Sequence, residues 1–254
     1  MSENKPFKVP YELREKLATA NRILYFEQTT SLARGHQAVL IDDNKLMLPG
    51  HLHPFGLSIA DCKPDDLVVI DFEGNVLEGK HKEAMGEFYI YTSIFRNRKD
   101  VKSCIHIHPP YLGALVVAGK TILPVTRDSL QFIDQVALFE KFPLYIGTKE
   151  HGEAAAKALG NKKVLAHRGH GAVVVGGSIE EALYTALAME RAARTQWMAS
   201  VVGEPQLLPK DEVEKYLRSL ASRGPNEETL RENFLYNSKK LEKIEKIGGM
   251  FYPY

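Results

Sequence analysis

The stretch GEFYIYTSIFRNRKDVKSCIHIHPP, residues 86–110, contains the pattern that decides the fold. Its first half predicts a helix that runs from Glu83 to about Asn97. The run 101–107 predicts a strand, and Pro109-Pro110 can begin the next helix because proline is tolerated in a first helical turn. Alternate side chains of a strand lie on one face, so His106 and His108 are expected side by side.

The rest of the chain mixes strands and helices throughout, which predicts one α/β unit with a helical tail. Strands are predicted over residues 37–41, 45–49, 67–74 and 143–146, and on both sides of a hairpin turn at Arg168–Gly171. Helices are predicted over residues 11–28, 109–119, 151–160, 178–202, 210–222 and 226–246. Periodicity alone also allows a doubly wound parallel sheet.

Composition excludes several classes of function. The 33 Lys and Arg residues balance 32 Asp and Glu residues, so we expect no nucleic-acid partner. No apolar run reaches the roughly 18 residues that cross a bilayer, so we expect no membrane partner. Residues 1–10 lack the apolar core of a secretory signal, and Cys62 and Cys104 fit a reducing compartment. We therefore expect a cytoplasmic location.

Two histidines on one strand face raise the prospect of a metal site. Neutral imidazole is a common ligand of zinc and iron, and a catalytic site uses three protein ligands with one open position. The best third ligand is His170, which stands between two glycines in the predicted hairpin turn. We expect His167 to contact the metal ligands without binding the metal itself, and we expect His151 to be solvated.

The combination of His106, His108, a distant His170-Gly and a long Ala/Glu-rich helix resembles the class II aldolase/adducin family over about residues 10–205. Glu87 precedes the histidine pair at the distance of the acid/base glutamate in the family's aldolases. Adducin's aldolase-like domain lacks the metal histidines, whereas this chain keeps all three.

That resemblance carries expectations for the whole molecule. It implies a three-layer α/β/α sandwich around a mixed, mainly antiparallel sheet. It implies a class II aldolase-like catalytic domain over residues 1–205, with residues 206–254 as a helical extension packed on the same domain. It also implies one divalent ion per chain (zinc, or iron or manganese) and a homotetramer with active sites at subunit boundaries.

The chain departs from the sugar-phosphate aldolases at three places where the family holds a phosphate. Gly35–Ala38 replaces a Gly-Asn-x-Ser motif, Pro49–His51 replaces a Thr/Ser-Gly turn, and Met85–Gly86 replaces a serine pair. Hydroxyl donors are missing at each serine-like position. We therefore expect an unphosphorylated substrate.

Histidines stand at several of the replaced positions. We expect His36, His51 and His53, with Arg127, to bind the carboxylate or phenolic oxygen of a small-molecule substrate. The pattern is similar to the family branch with hydroxylated-phthalate decarboxylases and an iron-dependent prenylated-hydroxyphenylpyruvate oxygenase. The favoured function is decarboxylation of a hydroxylated aromatic or related acid. Aldol cleavage, Fe(II)-dependent oxygenation and a non-catalytic metal-binding scaffold are the alternatives.

Overall fold

The computed structural model describes residues 8–30, 35–50, 59–140, 144–223 and 226–247. Eight strands are present in this part of the chain: β1 (Gly35–Asp42), β2 (Lys45–Pro49), β3 (Leu67–Asp71), β4 (Val76–Glu78), β5 (Ser103–Ile107), β6 (Val136–Phe139), β7 (Val164–His167) and β8 (Ala172–Gly176). Seven α-helices accompany them: α1 (Tyr11–Phe26), α2 (Tyr89–Asn97), α3 (Pro110–Val117), α4 (Lys149–Leu159), α5 (Ile179–Val202), α6 (Lys210–Arg223) and α7 (Glu227–Lys246). Short 3₁₀ helices cover Ile59–Asp61, Pro64–Asp66 and Asp128–Phe132.

All eight strands form one sheet in the order β4-β3-β2-β1-β5-β8-β7-β6. The pair β6 and β7 is parallel, and the other neighbouring strands are antiparallel. The predicted mixed, mainly antiparallel sheet is confirmed, and the doubly wound parallel alternative is wrong. The central position of β5 places the histidine pair in the middle of the sheet.

The sheet is covered on both faces, as the α/β/α prediction requires. One apolar core joins even-numbered residues of β1–β5, such as Ala38 and Cys104, and odd-numbered residues of β6–β8 to α2 and α4. The other joins odd-numbered residues of β1–β5, such as Val39 and Ile105, and even-numbered residues of β7 and β8 to α1, α3 and α5. Because strand side chains alternate between faces, each core selects one set of alternate residues. His36 and His106 belong by register to the face that α2 covers.

Local patterns failed in two places. The strand that the sequence predicts over residues 143–146 is wrong for its described part, because Leu144–Ile146 form a loop. The edge strand β6 lies a few residues earlier and pairs with β7. The helix predicted from Glu83 begins at Tyr89, because Ala84 forms an isolated bridge with Gly50 and Glu87 lies in a turn. Both corrections concern the surroundings of Glu87.

The two C-terminal helices lie where the sequence predicted them. Helix α7 contacts α1 and α5, and it buries Leu241. Two ion pairs link α7 to the α1 region. Lys240 contacts Glu27, the residue directly after α1, and a Glu245 carboxylate oxygen lies 2.9 Å from Arg22 Nε. The division into a catalytic domain over residues 1–205 and a helical extension over residues 206–254, packed on the same domain, stays a prediction. No helix in the described part of the chain has the length and hydropathy needed to cross a membrane.

Candidate metal centre and active site

Three histidines meet at one end of the central strands. His106 lies in β5, His108 follows that strand directly, and His170 lies in the turn between β7 and β8. Their ring centroids are 4.8–5.1 Å apart. One ring nitrogen of each lies within 4.8 Å of the others, so the three could hold one metal ion. The structure therefore brings together the three predicted ligands, while their role as ligands stays a prediction.

Glycine allows the β7–β8 turn to reach β5. A Cβ on Gly171 would lie 2.4 Å from the Ile107 carbonyl oxygen and 3.2–3.3 Å from carbons of the His106 and His108 rings. Gly169 has φ of +77°, a conformation that side chains other than glycine rarely adopt. These two glycines let the turn carry His170 to the histidine pair.

The hydrogen bonds of His106 fit a metal ligand. Its Nδ1 lies 3.2 Å from the Ala172 carbonyl oxygen, which can only accept, so Nδ1 carries the proton in the neutral ring. The Nε2 lone pair is then buried without a hydrogen-bond partner and lies 3.2 Å from Glu87 Oε2. Two electron-rich atoms at that distance repel each other unless a proton or a metal ion lies close to both. A divalent ion would satisfy this requirement, so the donor set fits one.

Glu87 stands beside the histidine group, as predicted. Its Oε1 lies 3.6 Å from His170 Nε2 and accepts a 3.3 Å hydrogen bond from the Ile146 backbone N–H. Burial acts to raise the pKa of this carboxyl, but His106, His170 and His36 outweigh burial and lower the pKa to about 2. Glu87 is therefore ionised at neutral pH and can accept a proton.

His36 lies next to the group on the neighbouring strand, opposite His106 in the β1–β5 register. Its Nδ1 contacts the hydroxyl of the fully buried Tyr91, which donates to the His36 carbonyl oxygen at 2.9 Å. Burial, with a further contribution from His106, lowers the pKa of His36 to about 3. His36 is thus neutral at physiological pH, so its ring carries no positive charge there.

Three further residues are predicted to bind substrate. His51 and His53 lie outside the described residues. The guanidinium of Arg127 lies 6.0 Å from the ring centroid of Tyr216 in α6. His167 is buried with its ring 5.1 Å from that of His170, in keeping with a supporting position. Substrate binding by His36, His51, His53 and Arg127 stays a prediction.

Sequence reasoning missed the loop that borders Glu87. Tyr145 packs its hydroxyl where a Cβ of Gly86 would stand, and Leu144 reaches Gly169 on the His170 turn. Both side chains are more than half exposed. Local sequence gave little signal for them, because a short apolar run is equally typical of a strand.

Fold and site together define a class of protein: an α/β/α sandwich with three histidines and an ionised glutamate at one end of its central strands. The comparison with family models then identifies the family. Residues 15–197 match the model described as "Class II Aldolase and Adducin N-terminal domain". The chain belongs to this family, whose enzymes are lyases that typically use a divalent metal ion.

Named relatives include both aldolases and decarboxylases. The chain is 28% identical over 176 residues to 5-deoxy-D-ribulose 1-phosphate aldolase of Bacillus thuringiensis serovar kurstaki, covering 68% of this chain and 80% of that protein. It is also 28% identical over 171 residues to the decarboxylase NovR of Streptomyces niveus, covering 67% and 62% of the two chains. The solved structure of an L-fuculose 1-phosphate aldolase from Glaciozyma antarctica superposes with a TM-score of 0.76 at 23% identity, covering 96% and 95%.

Proposed function

We propose that this protein is a metal-dependent lyase that breaks a carbon–carbon bond in an unphosphorylated hydroxy or oxo acid. The favoured reaction is decarboxylation of a hydroxylated aromatic or related carboxylic acid. The observation that carries the proposal is the half-buried, ionised Glu87, which lies 3.2 Å from His106 and 3.6 Å from His170 in a group of three histidines whose nitrogen atoms converge. A purely structural metal site has no use for a spare carboxylate that can move a proton, which argues against the scaffold alternative.

In this proposal His106, His108 and His170 hold one divalent ion, which is zinc, iron or manganese. The ion supplies positive charge that polarises a substrate oxygen and stabilises negative charge developing on the substrate. The neutral state of His170, whose pKa is lowered by burial and by His106 to about 4, leaves its nitrogen available for coordination at neutral pH.

Glu87 acts first as the general base and then as the general acid. As a carboxylate it removes the proton of the substrate hydroxyl when the substrate binds. The bond to the carboxyl carbon then breaks, carbon dioxide leaves, and the electron pair stays on the ring carbon. The protonated Glu87 returns its proton to that carbon, and a proton from solvent restores the product hydroxyl.

Two features support an aromatic acid over a sugar phosphate. The serine-like positions of the family's phosphate pocket carry no hydroxyl at Ala38, Met85 or Gly86. The exposed Leu144 side chain beside Gly169 and the exposed Tyr145 ring beside Gly86 offer largely apolar surface on the loop that borders Glu87. In the proposal, His51, His53 and Arg127 bind the substrate carboxylate, and neutral His36 accepts or donates a hydrogen bond.

An aldolase is the second candidate, because an aldolase and a decarboxylase relative are equally similar in identity. The deciding experiment offers hydroxylated aromatic acids and sugar phosphates to the protein with zinc, manganese or iron. We expect release of carbon dioxide from at least one acid and no cleavage of a sugar phosphate. Efficient cleavage of a sugar phosphate, with every acid untouched, would reject the assignment of substrate. Oxygen consumption with the iron-loaded protein would favour the oxygenase alternative.

Two variants test the roles of the residues. His108→Ala should lose the ion that the purified wild-type protein holds at about one per chain, as measured by metal analysis. Glu87→Gln should keep its metal but lose turnover by roughly 10²–10⁴-fold, the usual effect of a positioned acid or base. Glu153→Gln, an exposed carboxylate on α4, is the matched control and should retain full activity. Full turnover in Glu87→Gln would remove Glu87 from the mechanism.

We also propose that the chain assembles into a homotetramer. The last turns of α5 expose four apolar side chains, which a neighbouring subunit could cover: Trp197, Met198, Val201 and Val202.

A further inference from the structure

A second glutamate, which is buried, lies close to the candidate metal centre but outside it. Glu190, in the middle of α5, is only 5% exposed. Its Oε1 accepts the backbone N–H of Tyr111 at 2.6 Å, and its Oε2 accepts that of Leu112 at 3.0 Å. Both carboxylate oxygens are thus committed to the first turn of α3, which directly follows His108-Pro109.

The start of α3 needs such a partner because it cannot cap itself. Pro109 occupies the N-cap position and has no side-chain acceptor, and Pro110 occupies the first helical position. The N–H groups of Tyr111 and Leu112 therefore have no acceptor from their own segment. A carboxylate is the strongest acceptor that a protein can offer to a helix N-terminus.

The segment that carries His108 is held at both ends. At its start, the His108 N–H donates to the Thr30 hydroxyl oxygen at 3.0 Å. At its end, Glu190 holds Tyr111 and Leu112. The two prolines between them have restricted φ angles, so this short connection is stiff. A shift of Tyr111 would therefore be transmitted to His108 rather than absorbed.

We propose that Glu190 is a positioning residue of the metal centre, whose carboxylate sets the place of His108 by holding the first turn of α3. This inference rests on the proposed metal site. Replacing a residue that orients a metal ligand without touching the metal typically weakens metal affinity by about 10–100-fold. Glu190 acts through the backbone instead, and we expect an effect of the same order.

The test measures Zn²⁺ and Co²⁺ affinity of the full chain by competition with a chromophoric chelator. Glu190→Ala should bind both ions 10–100-fold more weakly and should alter the visible absorption of bound Co²⁺. Glu190→Gln retains one acceptor oxygen, so it should fall between Glu190→Ala and the wild type.

The same helix offers a matched control. Gln196 is 1% exposed, accepts the Leu123 N–H at 2.7 Å and donates to the Thr121 carbonyl oxygen at 2.9 Å. Gln196→Ala thus removes buried hydrogen bonds between α5 and a loop without touching the turn after His108, and it should keep wild-type metal affinity and the wild-type Co²⁺ spectrum.

Two outcomes would overturn the positioning role. One is wild-type metal affinity in both folded Glu190 variants. The other is an equal loss of affinity in Gln196→Ala, which would indicate general destabilisation. A wild-type chain that binds neither ion would instead reject the metal centre itself, so failure of the proposed function is distinguishable from failure of this inference.

Discussion

The half-buried Glu87 and the buried Glu190 show how surroundings decide the protonation of one residue type. At Glu87 the effects of His106, His170 and His36 outweigh burial, and the pKa falls to about 2. At Glu190 burial dominates over the hydrogen bonds from Tyr111 and Leu112 and over Arg194, and the pKa rises to about 7. The first group is therefore ionised throughout the physiological range, whereas the second titrates within it.

Glu190 makes stability depend on pH in a direction that can be tested. Its pKa is about 7 in the folded chain against an ordinary 4.5, so between these values the folded state holds a proton that the unfolded state has lost. The contribution to the free energy of unfolding is present below pH 4.5 and is lost as pH rises through 7. The loss is on the order of 3 kcal/mol.

Glu190→Gln removes this titration. Urea unfolding of metal-free wild type and variant at several pH values from 4.5 to 8 should show the variant gaining relative stability as pH rises. Groups common to both proteins cancel in this difference. A difference in unfolding free energy that does not change with pH would contradict the raised pKa.

At the scale of elements, the packing of α2 on α4 holds Glu87 in place. Gly152 of α4 lies so close to α2 that an added Cβ would stand 2.3 Å from the Tyr89 carbonyl oxygen and 2.7 Å from Ser93 Oγ. Helix α2 begins at Tyr89, two residues after Glu87. Separation of these helices would therefore move the turn that carries the carboxylate.

Gly152→Ala should accordingly destabilise the fold by about 1–3 kcal/mol, the usual cost of overpacking, as measured by urea unfolding. Gly113 in α3 is the matched control, because an added Cβ there meets no atom within 4 Å. Gly113→Ala should stabilise the chain by up to about 1 kcal/mol through helix propensity. Equal effects of the two changes would show that the α2–α4 contact is not as close as described.

At the scale of the whole molecule, the exposed end of α5 bears on assembly. Light scattering should give a mass near four times the 28.5 kDa of one chain. Replacing Val201 and Val202 with glutamate should lower that mass, because the contact between subunits would then have to bury two negative charges. Leu77→Glu, on the edge strand β4, is an exposed control and should leave the mass unchanged. A monodisperse 28.5 kDa wild type would reject the tetramer.

Some features of this protein follow from local sequence alone. Strand period two places His106 and His108 on one face, and the glycines around His170 predict its turn. Ser178 predicts the start of α5, where its hydroxyl accepts the Glu181 N–H. Each depends on residues within one turn or one strand, so a short pattern is enough to specify it.

Other features were decided only by tertiary structure. The β1–β5 pairing brings His36 beside His106. A bridge between Gly50 and Ala84 helps to keep Glu87 in a turn instead of a helix. Parallel pairing with β7 makes Val136–Phe139 a strand, and α5 brings Glu190 to the turn after His108. Each depends on groups far apart in the chain, whose free energy of contact exceeds local preference only once the sheet and its two helical layers have packed.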